Sequence, residues 1–170
     1  MLNEKIAKML NEQISKEFHS AYLYLDMANY YYDHNLNGFG NWFDVQTKEE
    51  NAHAMFFIEY LRNNGIAVKL ETIPAPTFEF KNFKEPLTAA FEHEQFITNS
   101  IHDIYAEAYS IKDFRTMQFL DWFVKEQAEE EQSADDLCKR FDLFGADPKG
   151  LYLLDNELGG RVFTEPTMTL

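Results

Sequence analysis

Acidic side chains interrupt the apolar stripes of four predicted long helices, and this feature most narrows what the 170-residue chain can fold into. Apolar residues recur at helical spacing along four segments, so one face of each segment is expected to be buried. Within or beside these stripes stand Glu17, Glu50, Glu94 and Glu130, one on each helix. A buried carboxylate is costly unless a cation or several hydrogen bonds compensate it. We therefore expect the four helices to meet around a bound cation.

Capping and stop signals divide the chain into five helices. Asparagine or aspartate before an apolar run can accept hydrogen bonds from the first turn of a helix, and glycine can end a helix in the left-handed conformation. The residues that give these signals are Asn3, Gly65, Asn82 with Glu85 as a capping box, Asp113, and Asp147 followed by Pro148. The predicted helices cover residues 3–34, 39–64, 83–111, 114–144 and 148–158.

The connection between the second and third predicted helices is unusually long for a compact domain. Residues 65 to about 82 lose the helical period and contain Pro74 and Pro76, which favour extended backbone. Such a segment can cross from one end of a helix bundle to the other, which makes its flanking helices parallel. We therefore predict an all-α single domain over 1–170, a four-helix bundle with this long crossover and a short fifth helix.

Charge and cysteine content exclude several function classes. The net charge of −14 disfavours nucleic acid and anionic membrane as partners, since both would be repelled, and it favours cations. The single cysteine, Cys138, rules out an intrachain disulfide and a cysteine-based metal site. No apolar run approaches the roughly 18 residues of a membrane span. We predict a cytoplasmic protein.

The histidine on the second helix indicates a metal site. His53 follows Glu50 by three residues, which places both on one helix face in the Glu-x-x-His geometry of di-iron bundle sites. A ligand set of carboxylates and one imidazole suits iron or manganese, although zinc can also bind it. The other histidines fall well away from the inner faces and are predicted to lie on the surface: His19, His34, His93 and His102.

Five stretches of the sequence are similar to the bacterial non-haem ferritins: LNEQISKEF around Glu17, EENAH at 49–53, EHEQ at 92–95, QFLDWFVKEQAEEE at 118–131 and GLYLLDNEL at 150–158. The resemblance implies a ferroxidase centre in which one iron binds Glu17, Glu50 and His53. A second iron would bind Glu50, Glu94 and Glu130, with Glu50 bridging. It further implies a glutamine of the metal site that supports the ligands or faces a peroxide, a nearby tyrosine electron donor and a third iron site. These correspond to Gln127, to Tyr24, and to Glu49, Glu126 and Glu129 sharing Glu130.

Two departures separate this chain from bacterioferritins. Those proteins carry a second Glu-x-x-His on the fourth helix, where this chain has Gln127 and Glu130, and they bind haem through a methionine at the position of Asn51. We therefore expect an asymmetric iron site and no haem.

The resemblance implies a protein that oxidises Fe(II) with O2 or H2O2 and stores Fe(III) mineral inside a homo-oligomer of 24 subunits. Two alternatives stay open at this point. One is a di-iron peroxidase or oxygenase without storage, and the other is a structural or helix-binding module. The second would leave the buried acids unexplained.

Overall fold

A computed structural model describes residues 2–168 of the chain, and these residues form five helices. The helices are α1 Glu4–Asp33, α2 Asn37–Asn63, α3 Glu85–Ser110, α4 Phe114–Phe144 and α5 Pro148–Leu158. The all-α prediction is confirmed, and the helix bounds lie within two residues of those predicted. That residues 1–170 form one domain stays a prediction, and Met1, Thr169 and Leu170 lie outside the described residues. No helix within 2–168 is both long and apolar enough to cross a membrane.

The predicted caps of α1, α4 and α5 and the predicted helix stop at Gly65 occupy their expected places, whereas the predicted cap of α3 does not. The side chains of Asn3, Asp113 and Asp147 accept hydrogen bonds from backbone N–H groups in the first turns of α1, α4 and α5. Gly65 follows the end of α2 with a φ of 70°, in the left-handed region that glycine adopts without strain. Asn82 accepts from the backbone N–H of Glu85 at 3.1 Å, but Lys84 is the N-cap residue of α3 and its side chain caps nothing. Helix α3 therefore begins at Glu85, two residues later than predicted.

The apolar core consists of two clusters with a polar layer between them. One cluster combines the start of α1, the end of α2, the end of α3 and the start of α4; its members include Ile6, Leu10, Phe57, Leu61, Ile101, Ile104, Phe119 and Phe123. The other combines the opposite ends and includes Tyr24, Tyr31, Phe39, Phe43, Leu87, Ala90 and Leu137. Since the ends of α2 and α3 share a cluster, these two helices are parallel, as the long crossover predicted.

The short helix α5 fixes the beginning of α2. Leu36 precedes α2 and supplies no side-chain cap. Instead, the carboxylate of Asp155 on α5 accepts from the backbone N–H groups of Gly38 at 2.8 Å and Phe39 at 3.0 Å. A Cβ on Gly38 would lie 1.6 Å from the backbone oxygen of Asp155, so only glycine allows this approach. Helix α5 thereby holds the register of the helix that carries Glu50 and His53.

Candidate metal centre

The polar layer between the two apolar clusters contains four carboxylates, one histidine and three glutamines. Its members come from all four long helices and are at most 6% exposed: Gln13, Glu17, Gln46, Glu50, His53, Glu94, Gln127 and Glu130. The layer lies where the apolar stripes were interrupted in the sequence. The bundle therefore places acidic side chains from four helices at one level of its interior.

Glu17, Glu50 and His53 form the tightest group within this layer. Each offers one ligand atom, and these atoms lie within 4.8 Å of one another. Oε2 of Glu17, Oε1 of Glu50 and both ring nitrogens of His53 are buried without a hydrogen-bond partner among the described residues. Buried polar atoms are almost always paired in folded proteins. An acidic, histidine-containing group of this kind has the donor chemistry that fits an iron ion.

Glu94 and Glu130 complete the carboxylate set and are held by neighbouring side chains. The Tyr24 hydroxyl donates to one oxygen of Glu94, and Nε2 of Gln127 donates to the other at 3.0 Å. Glu130 joins a second group with His53 and Glu126, whose ligand atoms also lie within 4.8 Å of one another. His53 therefore belongs to both groups, whereas Glu94 belongs to neither and lies beside them.

Crowding of carboxylates in a dry interior changes their protonation. Burial raises the pKa of Glu94 to about 7 and that of Glu130 to about 8. The pKa of Glu50 is raised well above its ordinary value, first by burial and then by repulsion from Glu94 and Glu17. Burial also raises the pKa of Glu17, although the nearby His53 opposes this. Without a cation the site therefore retains protons near neutral pH, which a metal ion would displace.

Two buried glutamines support the carboxylates, and the sequence reasoning did not assign them this role. Nε2 of Gln13 donates to Oε1 of Glu17 at 2.7 Å, and Nε2 of Gln46 donates to Oε2 of Glu130 at 2.8 Å. Each glutamine stands four residues before a candidate ligand on its own helix and shares its face. That spacing was a usable signal for a buried amide. The partner of Gln46, however, lies on another helix and could not be read from spacing.

The three acids of the expected third iron site lie in different environments. Glu126 is half-buried and belongs to the group with His53 and Glu130, whereas Glu129 is exposed and belongs to neither group. Glu49 is half-buried and accepts from Nη2 of Arg161 at 2.7 Å. No basic partner was expected for these acids. Arg161 lies beyond α5 in sequence, so helix periodicity could not place it there.

The prediction that all four remaining histidines lie on the surface is wrong for His93 and His19, which are both half-buried. Nε2 of His93 lies 2.7 Å from the Ser20 hydroxyl, and burial lowers the pKa of His93 to about 4. The prediction took only the inner face as buried, whereas these rings pack where α1 meets α3. His34 and His102 are exposed as predicted. Trp122 packs edge-to-face on His53, with ring centroids 5.5 Å apart.

Comparison with known proteins identifies the family to which the chain belongs. The Ferritin-like domain matches residues 7–144. A bacterial non-heme ferritin from Campylobacter jejuni is 38% identical over 155 residues, which is 91% of this chain and 93% of the relative. A probable bacterial non-heme ferritin-like protein from Haemophilus influenzae is 35% identical and covers 94% of this chain and 96% of its own length.

Solved structures agree with the sequence relatives. An open-pore ferritin from the hyperthermophilic archaeon Archaeoglobus fulgidus superposes with a TM-score of 0.93 at 41% identity, covering 95% of this chain and 100% of its own. These matches do not favour a di-iron oxygenase or peroxidase without storage. The chain therefore belongs to the ferritin family and is an iron-storage protein with ferroxidase activity.

Proposed function

We propose that the polar layer is a di-iron ferroxidase centre. Glu17, Glu50 and His53 would bind one Fe(II), and Glu50, Glu94 and Glu130 the other, with Glu50 shared. The observation that carries this proposal is the group of buried, unpartnered ligand atoms on Glu17, Glu50 and His53. The raised pKa values of Glu94 and Glu130 support it further: burial disfavours their charged forms, and a bound cation would stabilise those forms in place of protons.

Two adjacent irons match the electron demand of the oxidant. Each Fe(II) supplies one electron, so a pair can reduce O2 with two protons to H2O2, or H2O2 with two protons to two waters. Tyr24 is proposed as a nearby electron donor because its hydroxyl donates to Glu94. Gln127 is proposed to orient Glu94 through its bond to the second carboxylate oxygen.

We include in the same proposal a third iron site at Glu49, Glu126, Glu129 and Glu130, and its residues are supported by different observations. The pairing of Glu126 with His53 and Glu130 supports it. Burial raises the pKa of Glu49, and the charges of Arg161 and His53 oppose this rise. The charge of Glu126 raises it further, so Glu49 and Glu126 lie close enough to influence each other. Glu129 would have to turn inward from solvent to take part.

The stored product requires an enclosed space, and we propose a homo-oligomeric shell of 24 subunits located in the cytoplasm. Family membership supports a shell, because ferritins assemble as multi-subunit cages. The net charge of −14 on each chain supports a strong attraction for iron ions into such a shell.

Aerobic loading with excess Fe(II) tests the storage proposal. We expect iron to co-elute with a cage-sized protein in size-exclusion chromatography, in far larger amounts than the ligand residues can coordinate. Iron that elutes with the protein only at the level of the ligand sites, on a particle smaller than a cage, would refute storage in a shell. A parallel loading under argon controls for simple Fe(II) binding.

Substitution of Gln46 by methionine tests whether the amide holds Glu130 in place. The change keeps the side-chain volume but removes the donor to Oε2 of Glu130. We expect Fe(II) affinity and the initial oxidation rate to fall by about 10- to 100-fold, as for other residues that orient metal ligands. Gln95, an exposed amide next to Glu94, is the matched control, and Gln95→Met should change neither quantity. Equal effects of the two substitutions would contradict the role given to Gln46.

A further inference from the structure

Arg161 is fixed against α2 by contacts of three kinds. Its Nη2 donates to Oε2 of Glu49 at 2.7 Å, and its Nη1 donates to the backbone oxygen of Trp42 at 3.3 Å. Its guanidinium carbon also lies 4.7 Å from the centroid of the Trp42 ring, within cation–π range. The neighbouring Asn41 amide donates to the backbone oxygen of Arg161 at 2.9 Å. These contacts hold the Arg161 side chain in one position against α2.

The ion pair between Arg161 and Glu49 is partly shielded from solvent. The two side chains are 25% and 19% exposed, so water and salt screen them less than a surface pair. A carboxylate that already has a guanidinium partner is a poorer ligand for a second cation. Binding that cation requires the arginine to leave or the two positive charges to share one carboxylate.

The Glu49 carboxylate borders the group formed by His53, Glu126 and Glu130. His53 lies one turn after Glu49 on α2, and both His53 and Glu126 influence the pKa of Glu49. His53 is 1% exposed, and neither ring nitrogen has a hydrogen-bond partner among residues 2–168. The charge of Glu49 in turn raises the pKa of Glu130, so α2 presents a further carboxylate beside this group.

We infer that Arg161 determines how many iron ions each subunit binds, by occupying Glu49 and weakening the third site. This inference rests on the proposed ferroxidase centre. With Arg161 in place the subunit holds two ions tightly and a third one only weakly. Release of the segment that follows α5 frees Glu49 and strengthens the third site.

Anaerobic Fe(II) titration of the assembled protein, followed by calorimetry or equilibrium dialysis, tests this inference. Arg161→Met keeps an apolar side chain beside Trp42 and removes the charge. We expect the affinity for the third Fe(II) per subunit to rise by at least about tenfold, as expected when a like charge is removed from a partly buried site. Arg140→Met is the matched control, because Arg140 pairs with Glu157 and contacts none of the proposed ligands. Arg140→Met should leave the affinity for the third Fe(II) unchanged.

Two further variants separate occupation of Glu49 from loosening of the chain end. Glu49→Gln combined with Arg161→Met should abolish the gain, because the freed carboxylate is then absent. Glu49→Gln alone should weaken the affinity for the third Fe(II), since it leaves the charge of Arg161 beside the site without its partner. This single variant keeps the test valid if Arg161→Met fails to assemble. An unchanged or weaker affinity for the third Fe(II) in Arg161→Met, or a stronger one in Glu49→Gln alone, would overturn the inference.

The first two ions provide an internal reference for the proposed function. If neither the parent protein nor Arg161→Met binds two Fe(II) tightly per subunit, the ferroxidase centre itself is wrong. If both proteins bind two Fe(II) tightly and bind the third Fe(II) with equal affinity, only the role of Arg161 is wrong.

Discussion

Replacing Glu50 with glutamine is expected to lower the initial rate of Fe(II) oxidation by at least about a hundredfold, more than the loss of a residue that only orients a ligand. Glu50 is the carboxylate proposed to be shared by both irons, and it is fully buried with one oxygen unpartnered. The amide has nearly the same shape but no negative charge to bridge two cations. Stopped-flow absorbance of the Fe(III) product measures the rate.

Glu59→Gln is the matched control for this substitution, since Glu59 is an exposed carboxylate on the same helix. It should oxidise Fe(II) at the parent rate. The metal-free Glu50→Gln protein should unfold at a higher temperature than the parent, because the chain no longer has to take up a proton at this buried position when it folds near neutral pH. A near-normal oxidation rate in Glu50→Gln would contradict the bridging role, whereas a lower Tm would contradict the raised pKa of Glu50.

Tight Fe(II) binding is expected to weaken on the order of a hundredfold when the pH falls from 8 to 6, because two ligand protons must then be displaced. The two groups concerned are Glu94, with a pKa of about 7, and Glu130, with a pKa of about 8. At pH 6 both are largely protonated, whereas at pH 8 Glu94 is largely ionised and Glu130 is about half ionised. Anaerobic titrations across this range measure the affinity, and a pH indicator measures the protons released. A constant affinity with no proton release would contradict the raised pKa values.

The stability of the metal-free protein should show the opposite pH trend. Burial raises both pKa values above the ordinary value of 4.5, so the folded chain holds these protons more tightly than the unfolded chain. This contribution to stability is complete below pH 4.5 and is lost as the pH rises through 7 and 8. The Tm should therefore fall between about pH 4.5 and 8 and level off at higher pH, and Glu130→Gln should reduce that slope.

Most of the fold followed from local signals. Asn3, Asp113 and Asp147 each cap the helix that begins next to them, so a sequence window of a few residues contains the whole interaction. Two helix starts were exceptions: α2 begins two residues earlier than predicted and α3 two residues later. The cap of α2 comes from Asp155, whose carboxylate accepts from the backbone N–H group of Gly38, 117 residues away. Local pattern cannot reveal a cap supplied by another helix.

The candidate site also has some residues that the local sequence pattern predicts and others that depend on contacts between distant parts of the chain. Glu17, Glu50 and His53 could be predicted because each breaks an apolar stripe, and a buried charge in a stripe needs a compensating partner. Arg161 follows α5, where no helical period exists to orient a side chain. Its contact with Glu49 depends on how α5 packs against α2. The buried acids and His53 were therefore predictable, whereas the arginine that pairs with Glu49 was not.

One layer of this bundle is proposed to bind two irons through a shared glutamate. The most direct test is an anomalous difference map, measured at the iron absorption edge, from crystals soaked anaerobically in Fe(II). We predict two adjacent iron peaks per subunit, one within reach of Glu17, Glu50 and His53 and the other within reach of Glu50, Glu94 and Glu130. A single peak, or iron bound only outside the polar layer, would contradict the proposed di-iron centre.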